Sequence, residues 1–94
     1  MTFKDLNLIP TLSPLGVQAI VDFGKYELSI IQNEMSYGGN QGLYEISVFN
    51  GGEQVELPGI TNDGDTVKGY LTIDAVDAII NKMFTITGTE GKQI

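Results

Sequence analysis

Between Gly16 and Phe23 the side chains alternate, with Val17, Ala19, Val21 and Phe23 on one side and Gln18 and Asp22 on the other. A period of two is the mark of a strand that buries one face. After Gly24-Lys25 the alternation resumes at Tyr26, Leu28 and Ile30. Two interrupting residues with Gly first suit a tight hairpin turn, whose first corner needs a positive φ. That register sets Phe23 opposite Tyr26, Val21 opposite Leu28 and Ala19 opposite Ile30. All six then share one face, so turn and pattern agree. Ile20 and Ile31 break the polarity of the other face.

A second alternation runs from Leu43 to Phe49, with Tyr44, Ile46 and Val48 on one side. Asn50-Gly51 follows, a strong hairpin signal because both residues tolerate positive φ. A turn centred there sets Ile46 opposite Val55 and Tyr44 opposite Leu57. Pro58-Gly59 ends the strand, since Pro cannot donate to a ladder.

The last apolar pattern has a different period. Ile73, Val76, Ile79, Ile80, Met83 and Phe84 fall at the spacing of one buried helical stripe. Thr72 is placed to cap the N-terminus, with Asp74 and Asp77 in the first turns and Lys82 near the end, the charge order that suits a helix dipole. Gly88 is a natural C-cap. The pattern therefore predicts an α+β domain, a small antiparallel sheet of two hairpins with one C-terminal helix on one face. By segment, 1–14 reads as an extended arm restricted by Pro10 and Pro14, 16–58 as the two hairpins, and 59–71 as a loop. Residues 72–87 read as the helix and 88–94 as a loose tail.

Composition narrows what such a domain can do. The 94 residues contain no His, Cys or Trp, and all five basic residues are Lys. The chain thus lacks the side chains that supply most tunable proton carriers, thiol nucleophiles, soft metal ligands and bidentate phosphate clamps. Twelve carboxylates give a formal charge of −7. Such a chain repels phosphate, and Lys4, Lys25, Lys68, Lys82 and Lys92 are scattered, so direct nucleic-acid binding is not expected. The carboxylates are too thinly spread for nucleic-acid mimicry. No apolar run reaches the length of a membrane span, and Met1–Leu8 has no secretory h-region. The expectation is a cytoplasmic, non-enzymatic protein without a cofactor. Its thin core and Ile20 and Ile31 point to a homo-oligomer.

Three stretches could carry chemistry. In Ser36–Glu45, Gly38, Gly39 and Gly42 could expose main-chain amides, Tyr37 and Tyr44 offer flat faces, and Asn40 and Gln41 add adaptable hydrogen bonds. Tyr37, Gly38, Gly39, Asn40, Gln41, Gly42 and Tyr44 are therefore the candidate contact for a partner or small ligand. A long turn between hairpins, with Tyr44 in the core, accounts for the same residues. Neither the P-loop pattern nor the dinucleotide fingerprint fits. Thr61–Thr66 has oxygen side chains around Gly64, but an EF-hand frame would put Gly59 and Tyr70 at the first and last ligand positions, so no metal site is expected. The pairs Asp22/Glu27 and Glu45/Glu56 face each other in the expected register, on the solvated side of their strands.

The string Ser36-Tyr37-Gly38-Gly39-Asn40-Gln41-Gly42-Leu43-Tyr44-Glu45-Ile46-Ser47-Val48, with Gly16-Val17-Gln18-Ala19 before it and Gly69-Tyr70-Leu71-Thr72 after it, resembles a pattern in small accessory proteins of tailed bacteriophages. The likeness covers residues 15–87 and carries no assigned activity. Gly64-Asp65-Thr66 is an insertion relative to that pattern. The resemblance implies a host-directed role in the host cytoplasm. The first form is a protein that binds and inhibits a host protein, such as one of defence. The alternatives are a sponge for a small nucleotide-type signalling molecule and a minor virion component.

Overall fold

The computed structural model describes residues 1–94. A short 3₁₀ turn at Phe3–Asp5 is followed by β1 (Ile9–Leu12), β2 (Leu15–Asp22) and β3 (Glu27–Asn33). A second 3₁₀ turn, Gly39–Gln41, leads to β4 (Tyr44–Asn50), β5 (Glu53–Val55), β6 (Val67–Leu71), α1 (Ile73–Thr87) and β7 (Lys92–Gln93). All seven strands form one sheet, antiparallel throughout. The expected α+β class is the one observed.

The first hairpin has the expected register: Val21 pairs with Leu28 and Ala19 with Ile30, and the Phe23 N–H donates to the Tyr26 carbonyl across the turn. Gly24 takes φ +87°, as its corner requires. In the second hairpin the turn lies one residue later, at Gly51-Gly52, both at positive φ. Val48 therefore faces Val55, and Asn50 closes the strand against Glu53. Moving a turn by one residue shifts the pairing by two, so Val55 keeps its face while its partner changes. Leu57 lies beyond the strand, and Leu71 of β6 takes the place expected for it opposite Tyr44.

Three other segments depart from the expected plan. The N-terminal arm contributes β1, paired to β2 from Ile9–Gln18 to Leu12–Leu15. An edge position accepts Pro10, whose missing N–H costs no ladder bond there. The segment 59–71 contains β6, and the tail contains β7, which pairs with Val21 and Asp22 of β2. Each added strand is too short to show a period in the sequence.

One face of the sheet carries Val21, Leu28, Ile30, Ile46 and Val48, and α1 lays Val76, Ile79, Ile80 and Met83 over it. Leu57 and Ile60 plug the end of this core. They are set by a turn in which Ile60 and Thr61 N–H groups both donate to the Leu57 carbonyl, and the buried Thr61 hydroxyl accepts from the Leu57 N–H. Burying an aliphatic side chain of this size contributes about 1.5–3 kcal/mol. The helix ends are as expected: the Thr72 hydroxyl accepts from the Ala75 N–H at 3.1 Å, and Gly88 closes the helix in the left-handed conformation. This helix is not long and apolar enough to cross a membrane.

The opposite face has no helix. Its middle row runs Ile20, Ser29, Ser47 and Val67 across β2, β3, β4 and β6, with Ile9, Gln18, Ile31 and Glu45 in the next row. Ser29 is only 5% exposed, walled in by longer neighbours, and its hydroxyl accepts from the Gln18 amide at 3.1 Å.

Candidate functional site: a tyrosine ridge over a bulged strand

The site begins with an irregularity in pairing. Ile46 faces Lys68 and Tyr44 faces Leu71, so Gly69 and Tyr70 together oppose the single residue Glu45. This is a β-bulge, which breaks alternation and re-aims a side chain. Without the extra residue, strict alternation from Val67 on the open face would put Tyr70 on the core face opposite Tyr44 and Leu71 on the open face. With it, Leu71 reaches the core and Tyr70 turns outward with φ +56°, the one non-glycine residue at positive φ. A bulky side chain in that region is strained and must be held by its surroundings.

The hold comes from the glycine-rich segment. The Tyr70 N–H donates to the Tyr37 carbonyl at 3.1 Å, and the Tyr37 N–H donates to Glu45 Oε1 at 2.8 Å. Both main-chain groups of Tyr37 are thus fastened to the bulge and to the residue opposite it. Gly69 permits the approach: a Cβ there would lie 2.4 Å from Tyr37 Cβ. A Cβ on Gly38, itself at φ +86°, would lie 3.1 Å from the Tyr70 Cα. The two tyrosine rings end up nearly parallel, 23° apart in plane and 6.4 Å between centroids, an offset-stacked arrangement. They are 56% and 60% exposed.

Beneath Tyr70 opens a cleft of about 310 Å³ lined by Tyr37, Asn62, Asp65, Val67, Gly69 and Tyr70. Val67 belongs to the middle row of the open face, so the cleft is continuous with it. The loop from Leu57 to Val67 is ordered by its own bonds. Asn62 N–H donates to the Val67 carbonyl, Asp65 N–H to the Asn62 carbonyl, and Gly64 N–H to Glu56 Oε2 at 2.6 Å. Glu56 is therefore turned to this loop while Glu45 serves Tyr37, and the two do not face each other as the expected register had them. Asp22 and Glu27 do pair.

The seven residues singled out in the sequence are divided by the structure. Tyr37 and Gly38 belong to the ridge. Gly39, Asn40 and Gln41 form the 3₁₀ turn, bounded by Gly38 and Gly42 in the left-handed conformation. The N–H groups of Gly39, Gln41 and Gly42 donate within the segment, to Ser36, Gly38 and Gly39 carbonyls. They are not offered to a ligand. Gly39 is needed for close approach, since a Cβ would meet the Asn33 carbonyl oxygen at 1.8 Å. Tyr44 points away from the ridge and packs edge-on against Phe3, ring centroids 5.0 Å apart, at the margin of the core.

Tyr70, Gly69, Asn62 and Asp65 were not among those seven residues. The sequence signal for them was Gly69-Tyr70 directly before the helix cap, where a turn or bulge glycine precedes an aromatic. The chain also has no group of three or more Asp or Glu placed to hold a metal ion. No protein-family model matches the chain, and comparisons with curated proteins and with solved structures find no match.

Proposed function

We propose that the protein acts by stoichiometric binding, docking on a host protein and occluding its working surface, with the Tyr37–Tyr70 ridge at the centre of the contact. The observation that carries this reading is the pair of large aromatic side chains held more than half exposed by a bulge, a strained φ and two close-approach glycines. Tyrosines dominate binding contacts because they bury much area at little cost in rotamer freedom, and rigid presentation lowers the ordering cost further. The resemblance to bacteriophage accessory proteins supports a host partner and the host cytoplasm as the place of action.

A sponge for a nucleotide-type signal is the weaker reading. The rings could stack on a base, but Asp65 in the cleft and Glu45 beside Tyr37 repel phosphate, and no lysine lines the cleft. The test is affinity capture from host lysate with the wild-type chain, Tyr37→Ala and Tyr70→Ala, beside mass spectrometry of small molecules released on denaturation. The proposal expects one host protein, captured in a fixed ratio, lost with both variants and inhibited in its own assay by wild type alone. Release of a nucleotide, or capture indifferent to both substitutions, overturns it.

A further inference from the structure

The ridge and cleft also carry information about the chemistry that fits them. The residues that line the open cleft include two tyrosines, a carboxylate and an amide, with no cation among them. Asp65 accepts one hydrogen bond from the Thr66 N–H at 2.7 Å. A carboxylate has about four lone-pair positions, so most of its accepting capacity is uncommitted by that bond. Asn62 also lines this recess, and its amide has one acceptor oxygen to offer. Glu45, bonded to the Tyr37 N–H, adds negative charge at the foot of the ridge. The whole chain carries −7, so the long-range field favours a basic surface.

We infer that the cleft under the Tyr37–Tyr70 ridge receives an arginine side chain from a basic segment of the partner. The inference rests on the binding role proposed for the ridge and names the chemistry of its partner. Guanidinium is planar and weakly hydrated, so it can lie against a tyrosine face, and its fork of five donors can reach a carboxylate and an amide oxygen together. An ammonium group would meet the charge, but as a compact and strongly hydrated point charge it would neither lie flat against the ring nor present a planar fork to two acceptors. An apolar anchor would leave Asp65 and Asn62 without replacement for their water. The geometry and the charge therefore select the same group.

The test uses the full chain, labelled with nitrogen-15, titrated with three blocked tripeptides: triarginine, trilysine and tricitrulline. Citrulline keeps the planar shape and removes the charge. Triarginine is expected to shift the amides of Tyr37, Asn62, Asp65, Gly69 and Tyr70 saturably, with an apparent affinity about fivefold above trilysine and tricitrulline. Asp65→Asn, which keeps an acceptor for the Thr66 N–H, is expected to weaken triarginine about fivefold, and Tyr37→Ala about threefold. Equal binding of triarginine and tricitrulline, shifts spread over the acidic surface and indifferent to Asp65→Asn, or no saturable shift overturns the inference. Host-protein capture separates the two claims. Capture lost with Tyr37→Ala but without arginine preference leaves the binding role and removes this inference; arginine preference with capture unaffected does the reverse.

Discussion

The main-chain N–H of Tyr70 donates to the carbonyl of Tyr37 across 33 residues of sequence, tying together the two segments that carry the exposed aromatic pair. Tyr70 accepts an unfavourable φ to make it. The strain, on the order of 1–2 kcal/mol for a residue with a Cβ, accompanies the bulge that carries Leu71 into the core.

Tyr70→Gly should therefore leave stability within about 1 kcal/mol of wild type, since relief of strain offsets the lost ring contact. Partner capture should be abolished. Chemical denaturation beside a binding assay checks this, and a loss of several kcal/mol would show that the side chain holds the fold instead.

Gly69→Ala should act on the ridge through Tyr37, because the new methyl would lie 2.4 Å from the Tyr37 Cβ. The expected cost is about 1–3 kcal/mol as the strands part or Tyr37 swings away. Loss of ring-current shifts between the two tyrosines, read by NMR, is the direct signature.

Gly39 and Gly42 should differ sharply despite sharing one turn. A Cβ on Gly39 would meet the Asn33 carbonyl oxygen, so Gly39→Ala should cost about 3 kcal/mol or more and disorder the segment. Gly42 has open space around it and only its φ of +75° to object, so Gly42→Ala should cost about 1 kcal/mol. Urea midpoints of the two variants give the comparison.

The pattern of alternation was enough to read the first hairpin to the residue and the helix to its caps, because each of those elements is long and half buried. It was not enough for β1, β6 and β7, at four, five and two residues. Such strands are recruited by the open edges of β2 and β4, a tertiary cause with no local period. Asn50-Gly51 misled by one residue because Gly51-Gly52 is at least as apt for two successive positive φ values. Of the candidate site, Tyr37 was legible as a flat aromatic face and Gly38 as a residue that lets main chains approach. Tyr70 was not, since its outward turn comes from a bulge defined only by pairing with Glu45.

Self-association, expected from Ile20 and Ile31, has the helix-free face as its available surface. If it occurs there, light scattering at about 0.1 mM should give a dimer mass that Ile20→Lys returns to the monomer. A monomer mass for the wild type at that concentration would remove the expectation.

Asp5 supplies a local pH response. The Thr2 N–H donates to its carboxylate at 2.8 Å and holds its pKa below the ordinary 3.8. A depressed folded-state value means that the contribution is present above the ordinary pKa and is lost as pH falls through the lowered one. The Thr2 amide resonance should shift with a midpoint below 3.8, and Asp5→Asn should abolish the transition.

Three strands of eight, seven and seven residues, β2, β3 and β4, form the centre of the sheet. Each outer flank of that centre is covered by two fragments, β1 and β7 on β2, β5 and β6 on β4. One fragment carries Pro10, one carries the bulge, and the other two have three residues or fewer. No long straight run of unpaired amides and carbonyls is left to template a neighbouring chain. A sheet rich in β-branched residues thereby offers no edge along which further chains could add side by side into fibrils.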